Sequence, residues 1–158
     1  MSKNINTIRH GTAHLFAAAV QELYPKTKFG VGPVVEHGFY YDMEVRGKDS
    51  KGVQLCEADL KKIQRLMKKM KARNEKFVRK EMGITAAINM FKKMGQGYKV
   101  ELLKDLKEKG TTKKESGIKN KELGKKQKNR KVSIYELGKF VDLCRGPHVE
   151  LTKDLKVF

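Results

Sequence analysis

Three of the four histidines and one of the two cysteines of this chain fall into two compact pairs. His10 and His14 stand four residues apart, so on a helix they project from one face about one turn from each other. The residues between them, Gly11-Thr12-Ala13, include no Glu, which excludes the zinc-protease arrangement in which a Glu acts as base. The second pair lies in Asp142-Leu143-Cys144-Arg145-Gly146-Pro147-His148. Its Gly-Pro step disfavours helix and strand ladder alike, so Cys144 and His148 are expected on a turn where their side chains converge. Alone, each pair reads most simply as structural, since a free Cys is commonly a small buried hydrophobe. Together, three imidazoles and a thiol make either a tetrahedral zinc ligand set or a group of acids and bases around a bound water. Spacing leaves both open.

Other polar residues carry weaker signals. Tyr40 and Tyr41 alternate faces if they lie on a strand, Asp142 can cap the turn before Cys144, and Lys99 is one lysine among many. His37, beside Gly38, reads as a turn residue, and Cys56 as structural. The Gly30-Val31-Gly32-Pro33 stretch is not a dinucleotide fingerprint, because no helix follows and the third glycine is missing.

The elements that must position these residues form an α+β pattern. Apolar periodicity predicts a helix from Thr7 to about Leu23, with Ile8, Thr12, Leu15, Phe16, Ala19, Val20 and Leu23 on one side, Thr7 as cap and Tyr24-Pro25 as stop. Lys28 to Val45 reads as two strands joined by a turn near Glu36-His37-Gly38, followed by a polar loop over 46–53. Glu57 to about Lys80 is the longest helical pattern, acidic at its start and basic at its end. A helix from Thr85 to Met94 stopped by Gly95, a short helix over Tyr98–Leu106, and strands at Val132–Leu137 and Lys139–Leu143 complete the series. The expected fold is one domain: an antiparallel-rich sheet, fed by both ends of the sequence, packed against the histidine-bearing helix and the long amphipathic helix. Residues 5–103 and 132–158 would form the core and 104–131 a basic insertion.

Composition narrows the class. A chain of 158 residues can bury a core without disulfides or a structural metal. Its longest apolar run, Leu15 to Val20, is too short to span a bilayer, and no signal-peptide pattern precedes the first helix. Two cysteines in dissimilar contexts suit a reduced, cytoplasmic protein. The net charge of +18 calls for a polyanion, and nucleic acid leads membrane because no basic helix has an aromatic face. Residues 104–131 hold twelve Lys and Arg against four acids, which suits either a solvated loop or a phosphate-contacting one.

Five segments occur in a telling order: Arg9-His10-Gly11-Thr12-Ala13-His14, Gly30-Val31-Gly32-Pro33, Gly38-Phe39-Tyr40-Tyr41-Asp42, Tyr98-Lys99-Val100, and Val141-Asp142-Leu143-Cys144-Arg145-Gly146-Pro147-His148. From about Ile8 onward the chain resembles the editing (second N-terminal) domain of bacterial threonyl-tRNA synthetases, related to the editing domain of alanyl-tRNA synthetases and to free-standing alanyl-tRNA editing proteins. The resemblance implies a hydrolase that cleaves the ester of seryl-tRNA(Thr); the alternatives are a zinc-dependent alanyl-tRNA deacylase and, from the basic charge, a non-catalytic tRNA-binding module. Serine is threonine minus one methyl, and one methyl in a pocket yields only about 1–3 kcal/mol of discrimination, so a second, serine-admitting site is needed.

Carried over by position, the resemblance implies that His10, His14, Lys99, Asp142, Cys144 and His148 do the chemistry. His10, with Lys99, would orient or deprotonate the attacking water, and Asp142 would hold the substrate ammonium or orient a histidine. Tyr41, Gly32, Pro33 and Arg145 would hold the terminal aminoacyl-adenosine. The threonyl branch works without a required cofactor, whereas the alanyl branch holds zinc on the residues matching His10, His14, Cys144 and His148. The expected partners are tRNA and the catalytic core of a threonyl-tRNA synthetase, in cis or in trans, and no membrane. Nothing here corresponds to that core or to the small domain that usually precedes the editing domain, so aminoacylation is not expected of the chain. Gly11-Thr12 departs from the family's more usual Ser-containing filler, and a helical glycine costs about 1 kcal/mol relative to alanine. The basic stretch 104–131 also differs from the family's pattern.

Overall fold

A computed structural model describes residues 4–109 and 130–156. Helix α1 (Ile5–Leu23) begins two residues earlier than its apolar periodicity predicts. Asn4, not Thr7, is the cap: its side chain accepts from the Asn6 N–H at 2.9 Å, satisfying one of the free donors of the first turn. Thr12 turns its hydroxyl onto the Ile8 carbonyl. The alanine-rich second half of α1, Ala17 to Val20, is wholly buried, because small side chains let neighbours approach from several sides.

The stretch from Lys28 to Val45 forms two small antiparallel hairpin pairings rather than two continuous strands. Strand β1 (Lys28–Phe29) pairs with β4 (Met43–Glu44), and β2 (Val34–Val35) with β3 (Gly38–Phe39) around the expected turn. Gly30–Pro33 interrupts the ladder, since Pro33 has no N–H to donate. Helix α2 (Glu57–Ala72) stops eight residues before the predicted end. Asn74 takes a positive φ of 54° that ends the helix, and Phe77 gives its N–H to the Glu150 carbonyl, so the basic residues beyond are in extended chain.

That extended chain is β5 (Val78–Gly83), the edge of a three-stranded antiparallel sheet in the order β5-β6-β7 with β6 (Lys131–Leu137) and β7 (Phe140–Leu143). This sheet draws on the middle and end of the sequence only; the N-terminal hairpins stay separate from it. Gly138, at φ 57°, closes the β6–β7 turn. Helix α3 (Ile84–Lys93) follows β5 directly, with Gly83 rather than Thr85 at the cap position, and Gly95 ends it at φ 71°. Helix α4 (Gly97–Lys109) is longer than predicted at both ends. A 3-10 turn at Thr152–Asp154 packs under α2, where Thr152 donates towards the Met70 and Lys71 carbonyls.

The alternation of β6 and β7 divides the interior into two layers. Val132 and Ile134 join Ile84, Phe91 and Leu103 between the sheet and α3–α4, with Val141 and Leu143 against them. Tyr135, Leu137 and Phe140 face the other way, into a larger cluster with α1 and with Ile63, Met67 and Met70 of α2. Asp142 follows Phe140 by two residues and so points towards α1. Most of the basic insertion lies outside the described residues; only 104–109 (in α4) and 130–131 fall within them.

Candidate active site

The two histidines of α1 and the turn after β7 meet in one cluster. Ligand atoms of His10, His14, Cys144 and His148 all lie within 4.8 Å of one another. The Cys144 sulfur is 3.2 Å from His10 Nε2 and 3.3 Å from His148 Nε2. The ring of His148 lies 4.1 Å from that of His10 and 4.2 Å from that of His14. Phe77 stacks on His148 and Tyr135 meets it edge-on at 4.2 Å, so aromatic packing fixes the ring that the turn delivers.

Gly11 explains how the turn comes so close to the helix. A Cβ there would sit 2.7 Å from Leu155 Cδ2 and 3.2 Å from Val149 Cγ2. The missing side chain lets the segment after His148 lie against α1, which offsets the helix propensity given up.

Behind the cluster is a buried polar network. Asp142, His14 and Lys99 are each only 2 % exposed. Asp142 Oδ2 receives His14 Nε2 at 3.0 Å and a short hydrogen bond from the Tyr41 hydroxyl. Its Oδ1 meets the Lys99 ammonium as an ion pair, with no other directed hydrogen bond. Lys99 also donates to the Gly30 carbonyl and lies 3.5 Å from the Tyr41 oxygen. Burial works to raise the Asp142 pKa, but the charges of Lys99 and His14 override it and hold the carboxyl well below its ordinary range. Burial, then the Asp142 charge, pushes the Tyr41 hydroxyl well up, so it stays a donor.

Three members of the cluster, His10, Cys144 and His148, are held uncharged. Burial, with His14 and His10 nearby, drives His148 down to about 2. Burial and His14 also lower His10, against the Pro147 carbonyl and Asp142, which favour its charged form. Burial and the Asp142 charge push the Cys144 thiol up to about 12, although the Gly146 N–H and Lys99 favour the thiolate. At neutral pH this leaves a thiol beside neutral imidazoles.

The residues fit a zinc ion. Bonds of about 2.0–2.3 Å in a tetrahedron place ligand atoms about 3.3–3.8 Å apart, close to the two sulfur–nitrogen separations above. Asp142 on His14 is the kind of carboxylate that orients a metal-bound imidazole. A metal would also reverse the Cys144 preference for its thiol form.

Not every expected residue joins this cluster. Gly32, Pro33 and Arg145 line an adjoining cleft of about 790 Å³, shared with Gly30, Cys144, Glu44 and Tyr98. Tyr41 stands at the junction, against Gly32: a Cβ on Gly32 would lie 2.3 Å from Tyr41 Cδ2. Gln96 was absent from the sequence-based candidates. It is buried, accepting from the Phe29 N–H and donating to the Thr27 carbonyl at 3.0 Å each, and so ties the start of α4 to β1 just where Lys99 reaches Gly30. Its only sequence signal is a position three residues before Lys99, too weak to single it out. His37 and Cys56 lie on the surface, apart from the site.

Residues 132–158 match the family model described as threonyl and alanyl tRNA synthetase second additional domain. The chain is 40% identical over 156 residues (99% of its length) to the threonine–tRNA ligase of Ruthia magnifica subsp. Calyptogena magnifica, of which it covers 21%. It is 40% identical over all 158 residues to that of Anoxybacillus flavithermus, covering 20%, and 40% identical over 149 residues (94%) to that of Finegoldia magna, covering 19%. The chain thus spans about a fifth of the length of these relatives. With the motif residues gathered at one site, the chain is similar along its whole length to a stretch of these threonine–tRNA ligases, and over residues 132–158 to the threonyl and alanyl tRNA synthetase second additional domain.

Proposed function

We propose that the chain is a hydrolytic editing module that removes serine from seryl-tRNA(Thr). The observation that carries this reading is the meeting of neutral His10, His148 and the Cys144 thiol, beside the rigid Lys99–Asp142–His14 network, at the edge of the cleft lined by Gly32, Pro33 and Arg145. The cleft takes the terminal adenosine and its ester, with Gly32, Pro33 and Arg145 along it and Tyr41 packed against Gly32 at its edge. His10 accepts a proton from a water as the water attacks the ester carbonyl. The tetrahedral intermediate then expels the ribose oxygen, which takes up a proton, leaving free serine and uncharged tRNA. Asp142 fixes the orientation of His14, and Lys99 holds Asp142 charged while its positive end favours the developing oxyanion. The work belongs in the cytoplasm, in cis or in trans to the core of a threonyl-tRNA synthetase.

The four donor atoms within 4.8 Å support a second reading, a zinc-dependent alanyl-tRNA deacylase. Zinc would be held by His10, His14, Cys144 and His148, and would supply Lewis-acid polarisation of the ester or of a water only where one of the four gives way or its coordination rises to five. Asp142 would then orient His14 towards the metal rather than towards substrate.

Incubation with seryl-tRNA(Thr), threonyl-tRNA(Thr) and alanyl-tRNA(Ala), with metal content measured in parallel, separates these. Rapid loss of the seryl ester alone supports editing of serine. Rapid loss of the alanyl ester with stoichiometric zinc supports the second reading, and decay of all three at the rate in buffer refutes both.

A further inference from the structure

We infer that the outward face of α2 is a docking surface for the sugar-phosphate backbone of an RNA double helix. This rests on the reading of charged tRNA as substrate, and it names a part of the chain remote from the cleft as what grips the paired stem.

The charge is placed, not spread. Residues 57–73 contain seven Lys and Arg against two acids, both in the first turn, whereas α4, of similar length, carries four against three. A uniformly lysine-rich sequence would load both helices alike. Lys61 and Lys62 pair with Glu57 and Asp59 on their own helix. Arg65, with Lys68 and Lys69 three and four residues after it, is exposed as they are; none of the three has an acidic neighbour within α2, and Arg65 is repelled by both lysines. The helix dipole favours basic residues only in the last turn, so it accounts for Lys69 and Lys71 but not for Arg65 or Lys68. Such a row costs helix stability by itself and is relieved by an anion.

The form of that anion follows from the rest of the face. The basic residues run about 18 Å along a straight helix from Lys61 to Arg73; Lys61 and Arg73 at its ends share their charge with Glu57 and with Glu22 and Glu75, so Arg65, Lys68 and Lys69 at its middle are the contacts offered to phosphates. No aromatic residue lies on α2, so it offers nothing for unpaired bases to stack upon. Leu60 is the large apolar side chain that α2 exposes, too little for insertion into a lipid surface. A paired stem, presenting phosphate and not bases, fits this face.

The test compares wild type with Arg65→Gln/Lys68→Gln/Lys69→Gln and with a control of equal charge loss, Lys92→Gln/Lys93→Gln/Lys104→Gln. The control positions are exposed on α3 and α4. Binding of uncharged tRNA(Thr) transcript is measured by fluorescence anisotropy across salt concentrations, and deacylation of seryl-tRNA(Thr) in parallel. Each phosphate contact contributes about 0.7–0.9 to the slope of log affinity against log salt, so the α2 variant should lose about 2–3 from it. Its loss of affinity between about 50 and about 200 mM salt should then be about 20–40-fold smaller than that of wild type. The control should keep the wild-type slope, and the α2 variant should show a raised KM with kcat retained. An unchanged slope in the α2 variant, or an equal change in both variants, while wild type binds and hydrolyses, overturns the α2 surface alone. A wild-type protein that neither binds nor hydrolyses overturns the function reading, and this inference with it.

Discussion

The buried pair Lys99–Asp142 sets the energetic stakes at the site, and a double-mutant cycle measures them. Both side chains are 2 % exposed, so neither charge can turn to water if its partner is lost. Asp142→Asn leaves the Lys99 ammonium facing a neutral amide, and Lys99→Met leaves the carboxylate with His14 and Tyr41 alone. Removing one member of a buried pair typically costs about 3–5 kcal/mol, because the remaining charge keeps its desolvation penalty. Domains of this size have about 5–15 kcal/mol in all, so each single change should move the urea midpoint a long way with little change in slope. The double change removes both penalties and should cost less than the sum of the singles by about 2 kcal/mol or more. Equilibrium urea unfolding, followed by far-UV circular dichroism, gives all four corners. Additivity within about 0.5 kcal/mol would refute the view that these charges are held against each other without water.

Three further outcomes follow from named contacts. Gly32→Ala should displace Tyr41, since the new Cβ overlaps its ring by more than 1 Å, and so detach the Tyr41 hydroxyl from Asp142; a loss of kcat on seryl-tRNA(Thr) with native circular dichroism is expected, and wild-type kcat would count against the Tyr41 role. Gln96→Ala strands the buried Phe29 N–H and Thr27 carbonyl and should cost about 2–4 kcal/mol in urea unfolding, whereas a change under about 0.5 kcal/mol would mean that water replaces the amide. Because His148 and His10 are depressed in the fold, the unfolded chain binds more protons, so stability present above about pH 6.5 should fall as pH drops, by up to about 1.4 kcal/mol per unit for His148. Asp142 adds a second loss below about 3.8, and a melting temperature that stays flat from pH 7 down to that point would contradict buried neutral imidazoles.

Much of the site was legible because its members obey short-range rules. His10 and His14 share a helix face by periodicity, and the Gly146-Pro147 step turns the chain where expected. The order Phe140, Asp142, Cys144 places three side chains on the α1 side by strand alternation alone. Helix ends were harder to read. Apolar spacing continues through Phe77, but Phe77 pairs its backbone with Glu150, a partner more than seventy residues away that no local pattern announces. The split of Lys28–Val45 into two pairings likewise depends on where Gly30 and Gly32 must pass close to Asp42 and Tyr41.

What local rules could not supply is the polar network that gives the histidine cluster its character. Lys99 is one lysine among many in the sequence, yet the fold buries it against Asp142 and Gly30, and Gln96 stabilises the approach by tying α4 to β1. The consequence is electrostatic. Asp142 stays charged because Lys99 and His14 face it, and that fixed negative charge raises the Cys144 pKa while opposing the burial that lowers those of His10 and His148. Burial is the larger cause in each case: it keeps the thiol protonated, with the Asp142 charge adding to it, and it leaves an imidazole in contact with the thiol free to accept a proton. A carboxylate and a lysine buried behind the cluster would tune the protonation that burial sets in the groups meeting the ester, so substitutions at Lys99 should shift the pH profile of hydrolysis as well as its rate. A Lys99→Met protein whose residual activity keeps the wild-type pH profile would show that the cluster sets its own protonation, and the network would then be a matter of folding alone.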